Sequence, residues 1–315
     1  MGMKNKSGRS FDPESVRMIA LDLDGTTLTR DGLTRRTRET LEEAIRRGIH
    51  VVIATGRTYT ALPERVHQIK GLEYIITSNG AHISEAQTGK FIYSNYASAE
   101  AVDRVLDILE NTSYPVEVFT EGRAYIGQDV YTDLEAGGKT TECMNPRYVL
   151  RTRNPVENIY LFLREHREKI ENINVHFELQ KQRMQMWETF SKIPNVTVTS
   201  SHRHNVEIGG KTTSKATALA EVCRMLDLDW SHVMAFGDGA NDIAMLTECG
   251  FGVAMGNASE DVIAAADHVT LSNDEEGVAY TIRTMLFDED GGVSPGSADG
   301  TFLSWLLAKL KSFWK

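Results

Sequence analysis

Cysteine is scarce: Cys143, Cys223 and Cys249 are the only three in 315 residues, and no two of them form a CxxC pair. No zinc site or dithiol redox centre is readable from such spacing, and it suits a reducing cytosol. Long apolar runs are also missing, since no stretch approaches the roughly 20 residues of a transmembrane helix. The basic start, Met1-Gly2-Met3-Lys4-Asn5-Lys6, leads into no apolar segment, and position 6 is lysine where an acylation signal calls for Ser or Thr. Secretion and lipidation are therefore not expected, and a cytoplasmic location is. Positive charge is in deficit as well, with 34 Lys and Arg against 44 Asp and Glu and a net charge of −10. That balance excludes a general nucleic-acid binder. An anionic ligand would have to be met by locally placed cations or a metal. No internal repeat is found, and the one biased tract is the glycine- and acid-rich stretch at 288–300.

What the chain does have is concentrated in Met18-Ile19-Ala20-Leu21-Asp22-Leu23-Asp24-Gly25-Thr26-Thr27-Leu28. A short apolar run bounded by a turn reads as a buried strand of a parallel sheet. Two carboxylates at its carboxyl end then lie where open α/β sheets bind ligands. Buried charges are costly unless they are paired or hold a metal, so a purely structural use is disfavoured. Alternate residues of a strand share a face, so Asp22 and Asp24 can address one ligand. Gly25 lets backbone amides turn toward an anion. A carboxylate nucleophile, a second carboxylate as acid/base, a magnesium ion and a phosphate fit this arrangement.

Around this stretch, residues 17–83 alternate strand and helix, with helices predicted over 34–47 and 59–70 and strands over 49–54 and 74–77. The alternation predicts a mostly parallel α/β sheet, Rossmann-like, with helices on both faces. From 84 to 206 the pattern changes to hairpins over 81–94 and 116–126, helices over 99–110 and 179–192, and strands over 158–163, 196–200 and 205–208. This reads as an α+β domain inserted into the first. The βαβ rhythm resumes at 207–287, with a helix over 213–226 and a strand over 233–236 that ends in Gly237-Asp238-Gly239-Ala240-Asn241-Asp242. Residues 1–16 read as a flexible tail, and 288–315 as a linker followed by an amphipathic helix.

Thr55, after the second strand, offers a hydroxyl and nearby amides to a phosphate, or else an N-cap to a helix. Lys215 opens the returning helix, with Lys211 as a competitor on the loop before it. Asp238 and Asp22 suit a hard cation, joined by Asp24 through its backbone carbonyl, with Asp242 behind them. The triplet Asp227-Leu228-Asp229 repeats Asp22-Leu23-Asp24 but lacks a preceding strand and a following Gly-Thr, so it reads as a solvated loop. His202 and His204 would share a face on a strand, yet no further metal ligand has recognisable spacing, and contact with a substrate is the alternative role.

The segments Asp22-Leu23-Asp24-Gly25-Thr26, Ala54-Thr55-Gly56-Arg57, Ser78-Asn79-Gly80-Ala81, Lys215 and Gly237-Asp238-Gly239-Ala240-Asn241-Asp242 together resemble the haloacid dehalogenase superfamily. The Cof-type branch (class IIB, with a large cap between the second and third motifs) is the most similar. The resemblance covers about 17–287. It implies a magnesium-dependent phosphatase acting on small phosphorylated metabolites such as sugar, nucleotide or cofactor phosphates. Asp22 would be the nucleophile and Asp24 the acid/base. Leu23, Thr55, Gly56, Lys215 and Asn241 would bind phosphate, and Asp22, Asp24 and Asp238 the metal. Ala216 follows the lysine where relatives often have glycine. A phosphomutase, or a binding protein without turnover, are the rival readings; an ion-pumping ATPase would need membrane spans. No motif in the insert names a substrate contact.

The resemblance says nothing of the end of the chain. There Phe302, Leu303, Leu306, Leu307, Leu310, Phe313 and Trp314 recur at helical spacing. The expectation is a terminal helix docked on its own core or on a second subunit of a homo-oligomer, and the alternative is contact with a membrane surface.

Overall fold

The computed structural model describes residues 11–289. Among the described residues, fourteen strands form two sheets. The first contains β1 (Met18–Leu21), β2 (His50–Ala54), β3 (Tyr74–Thr77), β4 (His82–Glu85) and β5 (Phe91–Ser94), then β12 (Val233–Gly237), β13 (Phe251–Ala254) and β14 (His268–Val269). The second contains β6 (Val116–Thr120), β7 (Arg123–Gly127), β8 (Arg153–Val156), β9 (Ile170–His176), β10 (Val196–Thr199) and β11 (Asn205–Gly210). The chain is thus a mostly parallel α/β domain with an α+β domain inserted into it.

In the first sheet the order is β14-β13-β12-β1-β2-β3-β4-β5, with β4 and β5 antiparallel at one edge. β1 shows why its sequence is apolar throughout. Ile19 and Leu21 enter the core on one face of the sheet, Met18 and Ala20 the core on the other, and all four are buried. From β1 the chain builds outward through β2 on one side and returns as β12 on the other. Such a reversal opens a crevice at the carboxyl ends of the strands. The parallel register pairs Leu21 with Phe236, which brings the segments after both residues to the same crevice.

The second sheet has the order β10-β11-β9-β6-β7-β8. Val116, Val118, Ile173, Val175, Val206 and Ile208 pack on one face with the helices Ala99–Leu109, Ile159–Glu165 and Gln180–Ser191. The alternate residues Glu117, Asn174, His176, Asn205 and Glu207 point to the other face and are buried too. That polar face is turned toward the carboxyl ends of the first sheet.

Several expectations need correction. The hairpin over 81–94, expected in the insert, is β4 and β5 and hydrogen-bonds to β3 in the first sheet. β11 pairs with β9 up to Ile208 and with β10 up to Gly210, so the second sheet extends beyond the expected return at 207. The segment 158–163 is helical, because the Asn158 side chain accepts from the amides of Tyr160 and Leu161 and Ile159 and Leu163 are buried one turn apart. Pro63 divides the helix expected over 59–70 into a 3-10 turn, Tyr59–Ala61, and a short helix, Glu64–His67. Residues 11–16 are not loose: Phe11 stacks on Phe251 with ring centroids 3.9 Å apart, and Val16 is buried. The tail expectation over 290–315 lies outside the described residues.

Candidate active site

Asp22 is the first residue beyond β1 and its side chain is buried. Its Oδ1 accepts from Lys215 Nζ at 2.5 Å, and the same ammonium donates to Asp242 Oδ1 at 2.7 Å. Lys215 begins the helix Lys215–Met225, whose N-cap Ser214 accepts from the Thr217 amide. That cap aims the first turn at Asp22. Lys211 is exposed on the preceding loop. Asp242 Oδ2 in turn accepts from the amides of Asp238 and Gly239, both at 3.0 Å. It braces the turn after β12 and so sets where Asp238 points. Thr26 Oγ1 donates to Asp238 Oδ1 at 2.7 Å across the crevice. Gly25 lies against the same carboxylate with φ +78°, and a Cβ there would come within 2.2 Å of Asp238 Oδ2. Glycine at this position is a steric requirement.

Burial pushes the Asp22 carboxyl well above its usual range; Lys215 opposes the shift, while Asp242, Asp238 and Asp24 reinforce it. Asp238 is pushed up to about 6 by burial and by the charge of Asp242, against the Thr26 hydrogen bond. Burial acts against the Lys215 ammonium, but Asp22 and then Asp242 outweigh it and hold it protonated. One cation thus faces three carboxylates. Oxygens of Asp22, Asp238 and Asp242 lie within 4.8 Å of one another, the only such group of potential metal ligands among the described residues. Hard oxygen donors carrying uncompensated negative charge fit a magnesium ion.

Asp24 is exposed to the crevice, and Arg57 holds it in a fork, with Nε 2.7 Å from Oδ2 and Nη2 2.6 Å from Oδ1. Thr55 is buried, and its hydroxyl accepts from the Arg57 amide at 3.2 Å; the N-cap alternative is not seen, because no helix starts there. The Leu23 side chain sits in the core, so only its backbone can face a ligand. Asp22, Asp24, Gly56, Asp238 and Asn241 line one cleft of about 1280 Å³, with Lys215 and Thr55 beneath its floor.

The insert roofs this cleft with residues that no sequence motif singled out. Glu117 on β6 accepts from Arg153 Nε at 2.6 Å and from Asn174 Nδ2 at 2.8 Å, with His176 Nε2 at 3.0 Å. Burial alone would raise its pKa, but Arg153 and then His176 hold it well below the usual range. The Tyr148 ring lies beneath two guanidinium groups, Arg153 at 4.6 Å and Arg57 at 4.8 Å, and so links roof to floor. His202 lines the cleft from the loop between β10 and β11, and burial, then His176, lower its pKa to about 4. His204 faces Phe177 O with Nδ1 and accepts from Arg203 Nε with Nε2, so both its ring nitrogens are engaged within the protein. Asp229 caps the short turn Trp230–His232, and Asp227 and Asp229 are exposed, in keeping with the solvated loop expected of the second Asp-Leu-Asp triplet.

Comparison with known proteins identifies the family. The model of the haloacid dehalogenase-like hydrolases matches residues 19–282. Phosphatase YwpJ of Bacillus subtilis is 32% identical over 286 residues, 86% of this chain and 100% of that protein. The 5-amino-6-(5-phospho-D-ribitylamino)uracil phosphatase YcsE of the same organism is 29% identical over 271 residues, 85% of this chain and 95% of that protein. A solved haloacid dehalogenase-like hydrolase from B. subtilis superposes with a TM-score of 0.72 at 29% identity, covering 85% of this chain and 99% of the other. The chain belongs to the haloacid dehalogenase-like hydrolase family, and its enzymatic class is that of a phosphatase.

Proposed function

We propose that this phosphatase hydrolyses small phosphate monoesters through an aspartyl-phosphate formed on Asp22, with magnesium as its metal. The observation that carries this reading is the Asp22 carboxylate, buried at the floor of a roofed cleft, held by Lys215 at 2.5 Å and grouped with Asp238. Asp22 attacks phosphorus in line as the bond from phosphorus to the leaving oxygen breaks, and Asp24 protonates that oxygen. Water then attacks the phosphorus of the aspartyl-phosphate and gives its proton to Asp24, which regenerates Asp22 and frees phosphate. Lys215 keeps Asp22 aimed and balances charge on the transferring group. Asn241, Thr55, and the backbone of Leu23 and Gly56 hold the phosphate oxygens. Asp22 and Asp238 with the Asp24 carbonyl would hold the magnesium, and Asp242 supports them from behind. When bound, the ion supplies Lewis-acid stabilisation of phosphate charge. Arg57 must yield an oxygen of Asp24 for proton transfer, and its stacking on Tyr148 ties that release to the roof.

The substrate is a small phosphorylated metabolite. A roof of carboxylate, guanidinium, amide and imidazole groups suits a leaving group rich in hydroxyls, because each hydroxyl both donates and accepts. The relative named for a phosphoribitylamino compound is in keeping with that chemistry. The buried, unpaired cysteines are consistent with a cytoplasmic enzyme. The test is phosphate release from a panel of sugar, polyol, nucleotide and cofactor phosphates, with magnesium and with EDTA. Release only with magnesium, and fastest from polyhydroxylated esters, is the expected result. No release from any ester would overturn the reading.

A further inference from the structure

Between β3 and β4 the chain passes through Ser78, Asn79 and Gly80 with φ of +50°, +56° and +100°. Consecutive left-handed residues that include two non-glycines are held only where the surroundings over-determine them. Here they are. The Ser78 amide donates to Arg57 O at 2.8 Å and the Asn79 amide to Thr55 O at 3.0 Å. A Cβ on Gly80 would meet Ser214 O at 2.1 Å. The loop is wedged between the Thr55 turn and the start of the Lys215 helix.

What this conformation achieves is the placement of the Asn79 amide. Its Nδ2 donates to Glu207 Oε2 at 2.6 Å, and its Oδ1 accepts from Asn241 Nδ2 at 3.0 Å. Both Asn79 and Glu207 are buried. Glu207 belongs to β11 of the inserted domain, and its Oε1 accepts from Ser201 Oγ at 2.7 Å and Asn205 Nδ2 at 2.9 Å. An ionised carboxylate only accepts, whereas an amide has a donor end and an acceptor end. Glu207 therefore dictates that Asn79 turns its NH₂ toward the inserted domain and its oxygen toward the site. That oxygen in turn dictates that Asn241 presents its NH₂, one hydrogen of which is left for a ligand. A phosphate needs that donor; a flipped Asn241 would offer it a carbonyl.

We infer that Glu207, Asn79 and Asn241 form a polarity relay through which docking of the inserted domain sets the donor that Asn241 shows to phosphate. Asn79 is thus a positioning residue, and Glu207 acts on the phosphate from the roof without touching it. The inference rests on the phosphatase reading for the role of Asn241.

The test is calorimetric binding of inorganic phosphate, with saturating magnesium, to the full chain and its variants, beside phosphate release from the best ester of the panel. Losing a hydrogen bond to a charged group should weaken binding about tenfold or more in Asn79→Ala and in Asn241→Ala. Their double variant should be no more than about twofold weaker than Asn241→Ala, because the first effect passes through the second residue. Asn79→Asp places two carboxylates in contact and should weaken phosphate binding by more than about tenfold. Adding Glu207→Gln to it reverses donor and acceptor between positions 79 and 207 while leaving an acceptor facing Asn241. This pair should return binding to within about threefold of the parent. A merely structural Asn79 would show multiplicative losses and no rescue. Multiplicative losses, or a charge-swapped pair as weak as Asn79→Asp, overturn the relay even if the parent enzyme hydrolyses esters. Rescue of phosphate binding in a protein that hydrolyses none keeps the relay and overturns the proposed activity. A parent that binds no phosphate overturns both.

Discussion

Replacing Lys215 by methionine keeps a stem of similar length and removes the charge that Asp22 and Asp242 share at 2.5 and 2.7 Å. Both carboxylates and the lysine are buried, so the variant leaves two acids without their cation. Removing one partner from a buried ion pair costs about 3–5 kcal/mol. At roughly 2–4 °C per kcal/mol, the melting temperature in EDTA should fall by about 6–20 °C. The loss should depend on pH in a defined direction. A lysine whose folded pKa is raised contributes fully at any pH below its unfolded value, so Lys215 itself gives no slope between pH 5 and 8. Asp22 and Asp238 are raised, so the native state binds their protons more tightly than the unfolded chain does. Without Lys215 they rise further, and the gap between variant and parent should narrow as pH falls from 7.5 to 5. Phosphate release should drop by about 10²–10³, the range for losing a group that stabilises transition-state charge. Lys211→Ala, at an exposed position, should shift stability by no more than about 0.5 kcal/mol and leave turnover near the parent's. The assays are thermal unfolding by circular dichroism at three pH values and initial-rate phosphate release. If Lys215→Met melts within about 2 °C of the parent, or Lys211→Ala is the more damaging change, the assignment of this lysine is wrong.

Asp22→Asn should abolish phosphate release while the circular dichroism spectrum is unchanged, and Asp24→Asn should be severely impaired; near-parental rates in either would remove its assigned role. Asp238→Ala should raise the magnesium concentration needed for half-maximal activity, measured by titration from an EDTA-treated sample. With Asp238 pushed up to about 6 in the metal-free site, magnesium affinity should fall as pH drops below that value, and a flat profile from pH 5 to 7.5 would contradict it. Gly25→Ala should cost about 1–2 kcal/mol from its positive φ alone. It should also weaken magnesium-dependent activity, since the new methyl group meets Asp238; normal activity would show that the turn can shift without consequence.

The apolar strand ending in Asp22 and Asp24, the returning strand ending in Asp238 and the helix bearing Lys215 were legible in the amino-acid order. The reason is that a strand buried on both faces must be apolar, and carboxylates at its end then stand out against that background. Spacing in sequence was also enough to separate the returning β12 from the insert. Elsewhere local pattern misled. Ile-Tyr-Leu-Phe-Leu over 159–163 is rich in strand-forming residues, yet Asn158 caps a helix there and burial at Ile159 and Leu163 follows the helical period. The hairpin of β4 and β5 was visible as a hairpin, but nothing in its sequence says which sheet it joins.

The roof of the cleft was beyond reach for a different reason. Glu117, Asn174, His176, Asn205 and Glu207 alternate with valine and isoleucine, and that pattern ordinarily marks a strand with one face in water. Folding places that face over the crevice, where its charges are buried and must satisfy one another. Likewise Ser78-Asn79-Gly80 reads as a turn, while its left-handed backbone and the reach of Asn79 to Glu207 and Asn241, 128 and 162 positions away, exist only in the folded chain. The amino-acid order by itself determined which residues could carry the chemistry, because covalent neighbours set burial period and turn geometry. Only the tertiary structure decided which distant polar groups face one another, because a hydrogen bond depends on separation in space and not along the chain.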